Sequence, residues 1–518
     1  MYGSFLATRQ GIWIALVFVL VIAFLIRAIR PDQPIVENYV GRQIPTAMVA
    51  RNLERGSGFL YPQIDVAPLP NLFLVEPPVY AAVVVGLRRV TPLSLAEAGR
   101  LVSALGIVLG AWGLYGLVAR REGEACALVA VALFIAFPVT IRYGRAFQPD
   151  ALMLGTLLAG LRGWDQFEYG GNRFWLALGV LGMAAGLALK VISAYLLLPL
   201  CLVVMRDRKP WKLALAASTL VPAGLWYLHA AGLIASGTGS RASADNGEVW
   251  LGVLRQDALF RFETYRNVAR FLMVRAFTPM GLTLALPGLF LFRRPGDALW
   301  RWWGGCALLT LAALSAKLHH EYYWLALAPV MAVGTSRTLM VLYHHGRRGR
   351  ILCMISVMAF FGLAAVFSAG TWQTPDEWRN LDVASFLVRE YVPEDDWVVA
   401  PEALLFAADR RGCRLEYTAS AARRAAGEWS HAPEVANPGE LVAFYRSRGA
   451  RFFADVIAPR DSAERLALRQ RVRDRYNVLV DTPEVLLAKI SASRARPKSP
   501  EGAIHGIGRA DEPPREAP

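Results

Sequence analysis

Long apolar segments separated by short polar turns fill the chain up to residue 370. A helix needs roughly 17–25 mostly apolar residues to cross a bilayer, and eleven of these segments approach or reach that length. We therefore predict a polytopic α-helical membrane protein with about eleven transmembrane helices. The predicted spans are 11–30, 99–119, 124–141, 150–168, 173–189, 191–205, 211–232, 279–293, 299–316, 321–341 and 351–370.

The segment EPPVYAAVVVGLRRV, residues 76–90, is too short for a straightforward span and begins with two prolines. Basic clusters between the spans decide its placement, because cytoplasmic loops are rich in Lys and Arg. If residues 76–90 form a juxtamembrane helix and the N-terminus is cytoplasmic, every such cluster is cytoplasmic. This orientation places the loops 31–98 and 233–278 on the outer face.

The pattern changes after residue 372, where short apolar strands such as RFFADV alternate with amphipathic helical stretches. We predict a transmembrane domain over residues 1–372 and a small α/β domain over 373–492 on the outer side. The segment 493–518 is rich in proline and charge and poor in large apolar residues, so it is predicted to be disordered.

Composition supports a membrane protein and argues against a nucleic-acid-binding one. Hydrophobic residues make up 55% of the chain, and the mean hydropathy is +0.34. The net charge of +15 is distributed over the loops between apolar segments, as in membrane proteins that follow the positive-inside rule. Cys413 is the only cysteine after residue 372, so no disulfide is expected within the C-terminal domain.

Polar residues from separate segments are predicted to meet at the outer face. Each has an ordinary explanation: Glu37 could be a solvated loop acid, Arg145 and Asp150 a structural pair, and Lys190 a snorkelling side chain. Their convergence favours a site, because ionisable residues near the membrane are costly and usually functional. The candidates are Glu37, Glu76, Arg145, Asp150, Lys190, His320, Tyr322 and Tyr323.

Five pieces of the sequence resemble the GT-C glycosyltransferases, in particular the bacterial branch with protein O-mannosyltransferases and the lipid A aminoarabinose transferase. The resemblance extends over about residues 10–370 in arrangement. The pieces are IVENYVGRQ, EPPVYAAVV, GRLVSALGIVLGAWGLYGLVARR, YGRAFQPDALML and HHEYYWLALAP. Glu37-Asn38 stand where the family commonly has Asp-Glu, and Glu76 stands where it has Lys or His before two prolines.

The resemblance implies transfer of a sugar from a polyprenyl-phosphate donor to an acceptor hydroxyl, with inversion, at the outer face of a bacterial cytoplasmic membrane. Glu37 is then the expected general base, and Asp150 matches the acid of the second outer turn. The donor phosphate would contact Arg145, Lys190, His320, Tyr322 and Tyr323. Glu37, Glu76 and Asp150 could together hold a divalent metal ion, and the metal requirement stays open.

Two other classes of function fit parts of the pattern. A lipid or polysaccharide transporter or flippase would place its ionisable residues near the bilayer midplane, whereas the candidates here gather at one surface. A structural protein whose outer domain binds cell-wall polymer would give the acids at the membrane surface no role. The glycosyltransferase is therefore favoured, with a lipid, glycan or protein acceptor that the sequence does not specify.

Overall fold

The structure is a computed structural model that describes residues 9–37, 40–236, 261–291, 297–313 and 320–491. The chain divides into two compact units. The first contains residues 1–64 and 70–374, and the second contains residues 65–69 and 375–518. Three features named above lie outside the described residues: Asn38, the basic pair Arg293-Arg294 between two predicted spans, and the tail 493–518 with its predicted disorder.

The first unit is helical apart from one two-stranded ladder, β1 (Gln63–Ile64) with β2 (Asn71–Leu72). Short 3-10 and π turns extend or join several of its helices. The α-helices are α1 Arg9–Ala28, α2 Val40–Glu54, α3 Val79–Val90, α4 Leu95–Glu122, α5 Glu124–Ala136, α6 Pro138–Tyr143, α7 Asp150–Gly170, α8 Arg173–Leu189, α9 Ala194–Val204, α10 Pro210–Ser218, α11 Val221–Ala235, α12 Phe262–Arg270, α13 Pro279–Phe290, α14 Asp297–Ala313, α15 Ala328–His344 and α16 Gly346–Ser368.

Each of the eleven predicted spans overlaps one or more of these helices. Within the described residues, four helical stretches are long and apolar enough to cross a membrane alone, and two bent helix pairs raise the number to six. The four are Gln10–Ala28, Leu95–Glu122, Glu321–His344 and the stretch that begins at Gly346. Several further apolar helices are shorter than a full span, so the number eleven stays a prediction.

The loop predicted over residues 31–98 contains two helices. Helix α2 buries Arg42, Gln43 and Thr46, which the sequence analysis had not assigned to a helix. Helix α3 has 12 residues, and at 1.5 Å per residue it is about 18 Å long. That length is well below the ~30 Å thickness of the hydrocarbon core, which agrees with the predicted juxtamembrane helix.

Helices α4 and α7 pack with their backbones almost in contact, and this packing positions the residues at the start of α7. A Cβ atom on Gly106 would lie 2.7 Å from the backbone of Leu152. A Cβ on Gly155 would lie 2.1 Å from the carbonyl oxygen of Gly106. Small residues permit such close approach between helices in a membrane. Asp150 begins α7 two residues before Leu152, so the α4–α7 contact fixes its place.

The second unit is built around a five-stranded mixed sheet with helices between its strands. The strand order is β4-β3-β5-β7-β6; β3 is parallel to β4 and β5, whereas β7 is antiparallel to β5 and β6. The elements are α17 Leu381–Tyr391, β3 Val398–Ala400, α18 Glu402–Ala408, β4 Gly412–Arg414, α19 Ala419–Ala426, α20 Pro438–Ser447, β5 Phe452–Val456, α21 Ala463–Arg475, β6 Asn477–Asp481 and β7 Val485–Lys489.

Five residues from the first loop complete this second unit. The Ala67 N–H donates to the carbonyl oxygen of Gly412 at 2.7 Å, and the Gly412 N–H donates to that of Asp65 at 3.0 Å. Val66 forms a parallel bridge with Gly412 and is fully buried. Residues 65–69 therefore extend the sheet beyond β4, an arrangement that strand patterns after residue 372 could not predict.

Replacing Gly412 with alanine should destabilise the second unit. The new Cβ would lie 2.0 Å from the carbonyl oxygen of Val398, a backbone atom that cannot rotate away. Overpacking of this kind costs about 1–3 kcal/mol or more. We expect a lower melting temperature and faster proteolysis of the second unit. Gly427→Ala is the control, because its Cβ would have no heavy atom nearer than 3.4 Å. Equal melting of both variants would contradict this packing.

Candidate active site

A buried ion pair forms between two of the predicted site residues, Asp150 and Lys190. The Lys190 Nζ donates to Oδ1 of Asp150 at 2.7 Å, and both side chains are almost inaccessible to solvent. Asp150 is the first residue of α7, where a carboxylate interacts favourably with the helix dipole. Lys190 follows the last residue of α8 in extended conformation, which breaks the helix and frees the side chain.

Aromatic rings enclose the lysine. The Lys190 Nζ lies 4.5 Å from the ring centroid of Tyr322 and 5.0 Å from that of Tyr323. Such cation–π contacts stabilise an ammonium group that has lost part of its water. His320 stacks on Tyr322 with ring centroids 5.5 Å apart and an angle of 7° between the planes. Four of the five predicted phosphate-contacting residues therefore lie together.

A small recess is lined by Asp150, Lys190, Tyr322 and Tyr323. It lies between α7, the end of α8, α9, α14 and the turn that carries the tyrosines. The rest of its wall is mostly apolar, with Ser193 and Thr310 as two further polar residues. Oδ2 of Asp150 is buried and has no hydrogen-bond partner among the residues that the structure describes. Because buried carboxylate oxygens are normally paired, this oxygen has capacity to accept a proton or a hydrogen bond from a bound molecule.

Arg42, which was not among the predicted site residues, is the partner of Glu76. Its guanidinium forms an ion pair with Glu76 and lies 5.4 Å from the ring centroid of Phe73. Burial lowers the pKa of Arg42, but the negative charge of Glu76, with a contribution from Asp150, raises it overall above its ordinary value. The sequence contains a signal for this pairing. Glu76 is an acid where the family that the sequence resembles has a cation, and such an acid needs a cation nearby when it is buried.

Glu37, the predicted base, lies in a different polar cluster. Arg100 Nη2 donates to Glu37 Oε1 at 2.8 Å and to Oε2 at 2.9 Å, and Arg100 Nε donates to Oε1 at 3.1 Å. Glu37 is 1% exposed. Arg100 also donates to the carbonyl oxygens of Pro31 and Pro34. Both carboxylate oxygens of Glu37 therefore accept hydrogen bonds from a buried arginine that also holds the preceding turn. This pattern is typical of an ion pair that stabilises the fold.

Arg145, the fifth predicted phosphate contact, lies in the cluster of Glu37. Its guanidinium donates to the carbonyl oxygens of Arg30 at 2.8 Å and Thr371 at 3.0 Å. Burial, together with the positive charge of Arg100, lowers the pKa of Arg145 to about 10, so it is a cation at neutral pH. Its contacts hold the chain after α1 in place, and the structure does not bring it to Lys190.

The three carboxylates predicted to share a metal ion do not converge. Within the described ranges, no group of three or more His, Cys, Asp or Glu side chains is arranged to hold a metal ion. Glu37 pairs with Arg100, Glu76 with Arg42, and Asp150 with Lys190. Each acid is therefore neutralised by its own cation, so this set of three does not fit a metal ion.

One sequence family matches part of the chain. Residues 75–227 match the dolichyl-phosphate-mannose-protein mannosyltransferase family. This segment contains Glu76, Asp150 and Lys190 and ends before the turn that carries Tyr322. No curated protein matches the chain by sequence.

The fold matches solved structures of membrane glycosyltransferases. ArnT from Cupriavidus metallidurans, solved with undecaprenyl phosphate, gives a TM-score of 0.58 at 13% identity over 95% of this chain and 100% of that one. The Archaeoglobus fulgidus oligosaccharyltransferase, solved with Zn and sulfate, gives a TM-score of 0.54 at 12% identity over 91% of this chain and 73% of that one. The mycobacterial arabinofuranosyltransferase AftD gives a TM-score of 0.56 at 14% identity over 94% of this chain and 40% of that one. The chain therefore matches a mannosyltransferase family over residues 75–227 and shares its fold with solved glycosyltransferases.

Proposed function

We propose that the chain transfers a single sugar from a polyprenyl-phosphate donor to an acceptor hydroxyl, and that the transfer takes place in the recess beside Asp150. The observation that carries this proposal is the pairing of a cation, Lys190, with a carboxylate that keeps one oxygen unused. A cation suits the phosphate of the donor, and a carboxylate suits the proton of the attacking hydroxyl. The similar fold of ArnT, solved with undecaprenyl phosphate, supports the choice of donor.

Lys190, His320 and the two tyrosines form the phosphate side of the site. When the bond between the anomeric carbon and the phosphate oxygen breaks, negative charge grows on the departing polyprenyl phosphate. An ammonium group held in a nearly dry recess stabilises that charge more strongly than it would in water. The leaving group is already a stable anion, so the reaction needs no strong general acid.

Asp150, in place of Glu37, acts as the general base in this proposal. Both carboxylate oxygens of Glu37 accept hydrogen bonds from the buried Arg100, which favour the ionised form, whereas Oδ2 of Asp150 accepts none among the described residues. The acceptor hydroxyl attacks the anomeric carbon from the side opposite the phosphate, its proton passes to Oδ2, and the configuration inverts. General-base assistance of this kind contributes about 10²–10⁴-fold.

The outer face is the proposed location of this chemistry. Residues 65–69 of the first loop belong to the same compact unit as the residues after 374. This grouping supports the predicted orientation, in which the first loop and the C-terminal domain lie on the same side of the membrane. In a bacterium, this side is the periplasmic face of the cytoplasmic membrane.

The test is sugar transfer by the purified chain in liposomes that contain undecaprenyl-phosphate sugars. Release of undecaprenyl phosphate that depends on an acceptor is the expected result. Mass spectrometry of envelope glycans, with and without the protein, then identifies the sugar and the acceptor. Movement of the lipid-linked sugar across the bilayer without any transfer would overturn the proposal in favour of a flippase.

Lys190→Gln should weaken use of the donor. The change removes the ammonium group that stabilises the phosphate, and charge-assisted hydrogen bonds are worth about 1.5–3 kcal/mol. We expect kcat/KM for the donor to fall roughly 10- to 100-fold, measured in the same liposomes. Lys209→Gln is the control, because Lys209 is exposed and pairs only with Asp207 among the described residues. Equal activity of the two variants would remove Lys190 from the site.

A further inference from the structure

A groove lies on the first unit at the end of α7 that is opposite Asp150. It runs between α8 and α10, has a volume of about 660 Å³, and is closed at one end by Phe167 and Gly171. Helix α7 has 21 residues, so at 1.5 Å per residue it is about 30 Å long. That length is close to the thickness of the hydrocarbon core, so the groove is separate from the recess beside Asp150.

The wall of the groove is apolar over most of its length. On α8 it is formed by residues at the spacing of one helix face, and these are Leu176, Ala177, Val180 and Leu181. Leu215 lines it on α10. Leu181 is 69% exposed, so this face is not covered by another part of the described chain. An exposed apolar face on a predicted transmembrane helix is a surface for lipid.

One end of the groove is cationic and aromatic. Arg173, the first residue of α8, lines it there, and Trp211, near the start of α10, lines it from the neighbouring helix. Trp211 is 47% exposed. Tryptophan is enriched at the level of the lipid headgroups. Leu181 follows Arg173 by eight residues, so the apolar wall extends about 12 Å along α8 from this end.

Arg173 is an exposed cation that has no acidic partner within the described ranges. Neighbouring cations at this end form ion pairs with acids of α7 or of the loop before α10: Arg121 with Asp165, Lys212 with Glu168, and Lys209 with Asp207. No carboxylate is among the described residues that line the groove. The groove therefore combines one uncompensated positive charge with an apolar wall.

We propose that this groove binds an anionic glycerophospholipid. The headgroup phosphate accepts hydrogen bonds from the guanidinium of Arg173, and an acyl chain lies along the apolar wall between α8 and α10. A zwitterionic headgroup fits less well, because it brings its own ammonium group close to Arg173. In the predicted orientation this end is cytoplasmic, the side on which basic residues attract anionic lipids. The site goes beyond the proposed function, whose donor binds at the other end of α7.

Native mass spectrometry of the full-length protein tests this proposal. The protein is released from micelles with equal amounts of phosphatidylglycerol and phosphatidylcholine of the same acyl chains, and the lipid that stays bound is counted. The wild type should retain phosphatidylglycerol preferentially. Arg173→Gln should lower this preference about fivefold, the effect of one basic residue near a lipid surface. Arg348→Gln is the matched control and should keep it, since Arg348 is also exposed in the first turn of a helix on the same predicted side.

Ala177→Trp tests the groove independently of the charge. The indole should fill the apolar wall, so retention of both phospholipids should fall although Arg173 is unchanged. Leu228→Trp is the control, because Leu228 is an exposed apolar residue of α11 that does not line the groove. It should retain lipid like the wild type.

Four results would overturn the proposal. They are equal retention of the two phospholipids by the wild type, an unchanged preference in Arg173→Gln, an equal loss in Arg173→Gln and Arg348→Gln, and full lipid retention in Ala177→Trp. Dimers that Ala177→Trp dissociates would assign the groove to a second copy of the chain and also overturn it. None of these results bears on sugar transfer beside Asp150, so the proposed function is tested separately.

Discussion

Asp150→Asn should reduce turnover by about 10²–10⁴-fold, because an amide cannot take the proton of the attacking hydroxyl. The amide keeps the size of the side chain and an oxygen that can accept from Lys190, so the recess should keep its shape. We therefore expect donor binding to change much less than turnover. The measurement is single-turnover sugar transfer in liposomes at saturating donor, together with a binding titration of undecaprenyl phosphate.

Asp207→Asn is the control for this prediction. Asp207 is partly exposed and pairs with Lys209 and Lys212, away from the recess. Its variant should turn over like the wild type. Wild-type turnover in folded Asp150→Asn would exclude Asp150 as the base. A loss of turnover matched by an equal loss of donor binding would assign Asp150 to binding alone.

Glu37→Gln should destabilise the protein by about 3–5 kcal/mol, since it leaves the charge of Arg100 buried without its partner. Turnover per folded molecule should stay close to that of the wild type. Denaturant-induced unfolding in detergent micelles measures the first quantity. Activity normalised to folded protein measures the second. This result is the opposite of that expected for a catalytic base.

The double variant Glu37→Leu with Arg100→Met provides the control for the ion pair. Removing both charges avoids an unpaired buried charge, so its destabilisation should be smaller than the sum of the two single changes. The carbonyl oxygens of Pro31 and Pro34 lose a donor whenever Arg100 is replaced, so stability should not return fully. A stable Glu37→Gln with strongly reduced turnover would restore Glu37 as the base.

Hydrophobic patterning was sufficient to predict the helical membrane architecture. Its signal is strong because a spanning helix needs a long apolar run, and every predicted span overlaps a helix. Hydrophobic patterning does not fix the number of crossings, because broken helices such as Arg173–Leu189 followed by Val191–Val204 fall short of a full span. The break after residue 189 is also what places Lys190 in the recess.

The sequence predicted candidate residues best where a charged residue interrupts an apolar stretch, because such a residue needs a partner when it is buried. Lys190 interrupts an apolar stretch, and the structure gives it Asp150 as a partner. Glu37 was selected from the order of motifs, which does not determine the direction of a side chain. Its pairing with Arg100 joins residues 63 positions apart, a contact that one sequence without homologues does not contain.

Arg42 was not predicted because its helix lies in a segment, residues 31–98, that was predicted to be a loop. Helix α2 has polar residues on its buried face and Pro45 inside it, so it lacks the apolar stripe that indicates a helix. Residues 65–69 were missed for a similar reason, since five residues give no pattern that assigns them to a distant sheet. The sheet partner of residues 65–69, Gly412, comes from a distant part of the chain.

A structure of the full-length protein with bound undecaprenyl phosphate tests the central claim most directly. The account predicts the phosphate in the recess, within hydrogen-bonding distance of Lys190, with Oδ2 of Asp150 facing the position of the transferred sugar. A phosphate bound beside Glu37 and Arg145, with the Asp150 recess empty, would contradict it.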